Sequence, residues 1–127
     1  MSKSLYFIYG SLKKDMNNHH ILEKMNAEFI SPVETTIEYP MFKSGDPFPY
    51  LQDDPGFGKI VQGELWEIDD KHKDRLDQFE GVPSLYVNGK IDVECENNVY
   101  LDVNVYFKAQ KIPEKYFEVM TFFDEWE

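Results

Sequence analysis

Glu80 is an acid in an unusual place, at the end of the stretch Asp69-Asp70-Lys71-His72-Lys73-Asp74-Arg75-Leu76-Asp77-Gln78-Phe79-Glu80-Gly81. Read as a helix, this stretch has Asp69 as an N-cap candidate, Asp70 at the positive end of the dipole and Gly81 as the stop. At about 100° per residue, His72, Leu76, Phe79 and Glu80 share an arc about 100° wide, while Lys71, Asp74, Arg75 and Gln78 mostly face away. Glu80 therefore falls at the edge of the packing face and in the last turn, where the partial negative charge of the helix end opposes a carboxylate. Apolar surroundings and a nearby negative end both raise a carboxyl pKa, and a carboxyl that titrates near neutrality is a proton carrier. The plain alternative is a side chain that bends past Phe79 into water.

A second feature lies seventy positions earlier. Gly10-Ser11 follows the apolar run Leu5 to Tyr9. A strand that ends in a glycine turn leaves consecutive backbone N–H groups unpaired, and such groups cradle a carboxylate or an oxyanion. An ordinary turn is the simpler reading of the tripeptide alone. Ser11 as a nucleophile lacks the Gly-x-Ser-x-Gly setting and a marked base. Cys95 lies between Glu94 and Glu96, which raise rather than lower a thiol pKa, so it reads as core. His19-His20 with Glu23 has no third ligand at a metal spacing, and His72 reads as a packed residue.

These groups must be positioned by the rest of the chain. Leu5 to Tyr9 reads as a buried first strand, and Ile21, Leu22 and Met25 as the stripe of a short helix that Asn18 caps. Residues 27–40 read as extended, with Pro32 at an edge or bulge. Residues 41–58, with Pro47, Pro49, Pro55 and three glycines, read as short strands and stiff loops that rim a pocket. Residues 59–68 form the next strand, and Gly63 inside it marks a bulge or a close approach. Ile91, Val93 and Cys95 alternate with Asp92, Glu94 and Glu96. After a break at Asn97-Asn98, Leu101, Val103, Val105 and Phe107 alternate with Asp102, Asn104 and Lys108, which reads as an antiparallel hairpin. The aromatic tail from Pro113 covers the open side of the sheet or, alternatively, meets a partner.

Composition narrows the class. A chain of 127 residues without a linker or repeat reads as one domain, residues 1–127. A formal net charge of −11 leaves no basic footprint for nucleic acid or an anionic membrane surface. It also gives an anionic substrate no long-range steering, so an anion must be caught at short range. One cysteine rules out an intrachain disulfide framework, and the opening apolar run is too short for a signal peptide or a membrane span. The expectation is a cytoplasmic protein, a monomer or weak homodimer.

The segments Phe7-Ile8-Tyr9-Gly10-Ser11-Leu12-Lys13, Tyr39-Pro40-Met41, Val61-Gln62-Gly63-Glu64-Leu65-Trp66 and Leu76-Asp77-Gln78-Phe79-Glu80-Gly81, with Pro83 and Tyr86, resemble the gamma-glutamylcyclotransferase-like superfamily in its gamma-glutamylamine cyclotransferase branch. The resemblance covers about residues 5 to 107 in the family's order and departs at Lys14-Asp15, where the family often has a glycine. It implies an α+β fold: a small mixed, highly curved sheet, a partly closed barrel, with one or two packed helices. It also implies a transferase that cyclises a gamma-glutamyl group to 5-oxoproline. Glu80 would then be the general acid/base, with Tyr9, Gly10, Ser11 and Leu12 binding the substrate through backbone N–H groups and Tyr86 lining the pocket and donating its hydroxyl. The chemistry requires no cofactor and no metal, and the partner is a small gamma-glutamyl molecule. The rival from the residues is a binding module that holds a gamma-glutamyl or amino-acid ligand without turnover.

Overall fold

The computed structural model describes residues 2–127. Five strands close a barrel in the order β1 (Lys3–Ile8), β5 (Gln62–Asp69), β2 (Glu28–Thr35), β6 (Tyr86–Cys95) and β7 (Asn98–Lys108). Closure depends on β1. It runs antiparallel to β5 from Lys3↔Asp69 to Ile8↔Glu64 and parallel to β7 at Tyr6↔Asn104, where the Asn104 amide also donates to the Leu5 carbonyl at 3.1 Å. The expected α+β class with a small, curved mixed sheet is what the chain forms, and the barrel is fully closed.

β1 is apolar on both faces because both are covered. Phe7 and the following Tyr9 point to an inner cluster with Leu65, Val93 and Val105, while Tyr6 and Ile8 join an outer cluster with Leu22, Trp66 and Leu76. Gly63 is where β5 meets β1 too closely for a side chain. A Cβ there would come within 2.6 Å of both the Ile8 carbonyl and the Phe7 ring. Pro32 pairs with Glu64 on one side only, since β2 meets β6 just at Glu34 and Thr35, so its missing N–H leaves no ladder bond unmade.

Three expectations need correction. The short helix α1 (His20–Lys24) is not capped by Asn18; His19 occupies the N-cap position without a side-chain bond, and Asn18 is engaged elsewhere. The hairpin alternation breaks at Leu101, which is 69% exposed. The cause is a bulge: Ile91 pairs with Val103 but Val93 with Tyr100, and Asp102 has φ 52° with its N–H on the Asp92 carboxylate. Asn98 belongs to β7, leaving Glu96-Asn97 as the turn.

The stretch 41–58 forms a small hairpin of β3 (Met41–Phe42) and β4 (Tyr50–Leu51) at one end of the barrel. The tail, opening with a 3₁₀ turn at Glu114–Val119, packs back on the barrel: Phe123 N–H donates to the Met41 carbonyl, and Phe123 and Trp126 lie on the inner cluster. No helix among the described residues is long and apolar enough to cross a membrane.

Candidate active site

The turn after β1 is tight and clamped. Lys13 N–H donates to the Gly10 carbonyl at 3.1 Å, and Asn18 holds Ser11 twice, through its own N–H on the Ser11 carbonyl and its side-chain amide on the Ser11 hydroxyl, each at 3.0 Å. Gly10 is bare because Pro49 crosses it; a Cβ would meet the proline ring at 3.2 Å. Among the described residues, the N–H groups of Ser11 and Leu12 have no protein acceptor. A turn fixed from both sides with two free donors has the form of an anion cradle.

The helix bearing the acid starts later than its sequence reads. Asp69 ends β5 and accepts from Lys71 N–H at 3.0 Å, so it caps a 3₁₀ turn at Asp70–His72, and α2 proper is Lys73–Glu80. Gly81 stops it in the left-handed region, φ 71°, as expected. The packed face is rotated from the expected arc: Leu76 is fully buried, but Phe79 is 39% exposed and Asp77 is the residue drawn in. The reason is polar, because the Tyr106 hydroxyl donates to Asp77 at 2.6 Å.

A cavity of about 260 Å³ lies between this helix and that turn. Tyr9, Gly10, Ser11, Leu12, Glu80 and Tyr86 all line it, so the residues singled out from sequence share one space. Burial pushes the Glu80 carboxyl up from an ordinary 4.5 to about 7, and among the described residues no Lys or Arg pairs with it. Burial is the cause of this rise.

The tyrosines around Glu80 are committed to the protein. Tyr86 donates its hydroxyl to the Pro49 carbonyl at 2.7 Å, so in this structure it offers the cavity a lone pair rather than a proton. Tyr9 donates to the Tyr106 carbonyl. Burial, with the Glu80 charge as a smaller cause, raises the pKa of both, and each stays a neutral phenol.

Phe48 and Pro49 line the cavity from the loop expected to rim it, whereas sequence reasoning missed Asn18 and Tyr106 as lining residues. Of these two, Tyr106 carried a signal: it interrupts the polar face of β7, between Asn104 and Lys108, with a large aromatic. Of the discarded metal candidates, His19 places a ring nitrogen 2.9 Å from the Leu12 carbonyl and packs against Trp66.

The barrel and its cavity bring one burial-raised carboxyl and the Ser11–Leu12 turn into a shared space. Residues 6–124 match the family model described as gamma-glutamyl cyclotransferase, AIG2-like, and the chain belongs to this family. It is 40% identical over 92 residues to gamma-glutamylaminecyclotransferase A of Danio rerio (69% of this chain, 57% of the relative). It is 37% identical over 123 residues to gamma-glutamylaminecyclotransferase C of the same species (90% of this chain, 81% of the relative). The crystal structure of an AIG2-like protein from Mus musculus superposes with a TM-score of 0.88 at 26% identity, covering 100% of this chain and 90% of that one.

Proposed function

We propose that the protein is a gamma-glutamyl cyclotransferase and that Glu80 moves the proton. The substrate's own alpha-amine attacks its gamma-carbonyl. The new C–N bond closes the five-membered ring of 5-oxoproline, the old amide C–N bond breaks, and the proton lost by the attacking nitrogen ends on the departing one. No oxidant, water or cofactor enters the balance.

The nucleophile is tethered, so a folded substrate gains an effective molarity of about 10⁵ M or more if it is held in attack geometry. The Ser11 and Leu12 N–H groups supply the hold, on the alpha-carboxylate or on the oxyanion of the tetrahedral intermediate. Proton transfer falls to Glu80. An alpha-amine has a pKa of about 7.7–8.0, and a carboxyl titrating at about 7 lies close enough to take its proton and return it to the leaving amine. Tyr9 and Tyr86, neutral and tied to backbone, form walls that keep this exchange out of bulk water.

The observation that carries the reading is a single unpaired, desolvated carboxyl in the same cavity as two free backbone donors. The leaving group passes Phe48, Phe79 and Leu85 at the rim, an apolar exit that accepts the carbon chain of an amine or amino acid. The sequence's lack of a basic footprint fits a cytoplasmic monomer or weak homodimer acting on a free small molecule. The test is 5-oxoproline release from a panel of gamma-glutamyl amines, amino acids and the gamma-glutamyl-lysine isopeptide. Release from at least one member, lost in Glu80→Gln, is expected; no release from any member overturns the reading.

A further inference from the structure

One polar chain links the two halves of this site. On α2, Lys73 Nζ and the Tyr106 hydroxyl both donate to Asp77, each at 2.6 Å. Tyr106 belongs to β7, and its own carbonyl accepts the hydroxyl of Tyr9, the residue that leads into the Gly10-Ser11 turn. Tyr106 therefore holds the acid's helix with its side chain and the cradle's strand with its backbone. Asp77 has a further tie, because its carbonyl accepts Val82 N–H at 3.0 Å and so fixes the chain just beyond Glu80.

The helix needs this anchor. It is eight residues long and buries only Leu76 completely. One buried side chain fixes a point but not a rotation about it. Asp77 and Glu80 are three apart and share a side of the helix. A bond from Asp77 to the barrel wall therefore sets how far Glu80 reaches into the cavity.

We propose that Tyr106, acting through Asp77, is a positioning residue that sets the depth of the Glu80 carboxyl and its separation from the Ser11–Leu12 donors. The groups facing Glu80 are Tyr9 just after β1, Tyr86 on β6 and Tyr106 on β7, with Asp77 and Lys73 on its own helix and the Tyr50–Asp46 pair behind Tyr86. All three facing tyrosines are neutral near pH 7, so the depth of burial governs the proton affinity of the acid. As a statement about catalysis the proposal rests on the functional reading above; as a statement about geometry it does not.

The decisive variant is Tyr106→Phe, which keeps the ring, the backbone carbonyl and the Asp77 charge and removes only the tether. Asp77→Asn is its counterpart, removing the charge while keeping an oxygen for the Tyr106 hydroxyl. The first measurement is an NMR titration of the Glu80 carboxyl carbon in the whole protein, which needs no substrate. Tyr106→Phe is expected to lower the midpoint by about one unit or more as water reaches the acid, and Asp77→Asn to move it much less. A midpoint unchanged in Tyr106→Phe, or moved equally far in Asp77→Asn, overturns the proposal, the latter because charge and not tether would then be the cause. With an active substrate in hand, Tyr106→Phe is expected to lower kcat about tenfold or more with KM within about threefold, since the cradle stays intact. Thermal unfolding of each variant separates a lost tether from a lost fold: a fall in activity with an unmoved titration is a stability effect and counts against the proposal. Silence of the wild type toward every substrate would sink the cyclotransferase reading while leaving the titration result to stand.

Discussion

Two concave regions on the same barrel both display glutamates, and they differ in a way that separates a site from a surface. The groove beside β2 and β6 has a volume of about 630 Å³ and carries Glu34, Glu94 and Glu96, and of these Glu34 and Glu96 are exposed. The cavity beneath α2 has about 260 Å³ and carries one glutamate, walled by tyrosines. Greater volume and more carboxylates do not make the groove the better candidate, because two of its three acids stand open to water. Chemistry needs a carboxyl whose protonation the protein controls, and control comes from excluding water around a single group.

The sharpest way to break this contrast is to neutralise one acid in each place. Glu80→Gln is expected to lower kcat by about 10²–10⁴-fold, the usual range for a positioned acid/base, as read by 5-oxoproline formation. In the wild type, activity should also fall below about pH 7 as Glu80 protonates, and the residual activity of Glu80→Gln should lack that acidic limb.

A second difference concerns stability, and its sign is opposite. Glu80 binds its proton more tightly in the folded state than in the unfolded chain, with pKa values of about 7 and 4.5. Below pH 4.5 both states are protonated and the residue costs nothing. Between pH 4.5 and 7 the unfolded chain releases its proton first, so folding stability falls as pH rises, and above pH 7 the full penalty applies. The shift corresponds to a penalty on the order of 3 kcal/mol. Urea unfolding of Glu80→Gln should show a gain of that order at pH 8 and none near pH 4. A variant that loses activity while gaining alkaline stability marks a residue retained for function.

Gly10 tests the other wall of the cavity. Gly10→Ala places a methyl group 3.2 Å from the Pro49 ring, and relief requires the turn or the proline to move by a few tenths of an ångström. A displaced cradle weakens the grip on the substrate carboxylate, so KM should rise about three- to tenfold, roughly 1 kcal/mol, with kcat changed less. Loss of kcat at constant KM would instead assign the turn to the transition state alone.

How much of this was legible in the sequence depends on whether a feature is local. The buried strand at Leu5 to Tyr9, the Gly81 stop and the close approach at Gly63 are local patterns, and each is present. The start of α2 was misread because Asp69 caps equally well in a 3₁₀ turn, and strand β5 runs straight into it. Phe79 lost its expected burial because helical periodicity ranks residues by hydropathy, whereas the bond that decided the rotation joins Asp77 to Tyr106, 29 residues away. The same limit hid Asn18, which acts through amide contacts to Ser11 that only the folded turn creates. Leu101 fell to a bulge that alternation alone does not announce.

The smallest expected effect completes the contrast. Glu94→Gln, in the wider groove, should leave kcat and KM unchanged and shift stability by no more than about 0.5 kcal/mol at pH 8. Glu94 lies across the β2–β6 pair from Glu34, so removing one of two facing carboxylates can only relieve repulsion that solvent already screens. Equal pH-dependent gains in Glu94→Gln and Glu80→Gln would mean that overall charge at −11, not the local exclusion of water, governs stability. A gain confined to Glu80→Gln assigns the penalty to the dry carboxyl, because both substitutions change the net charge by the same single unit.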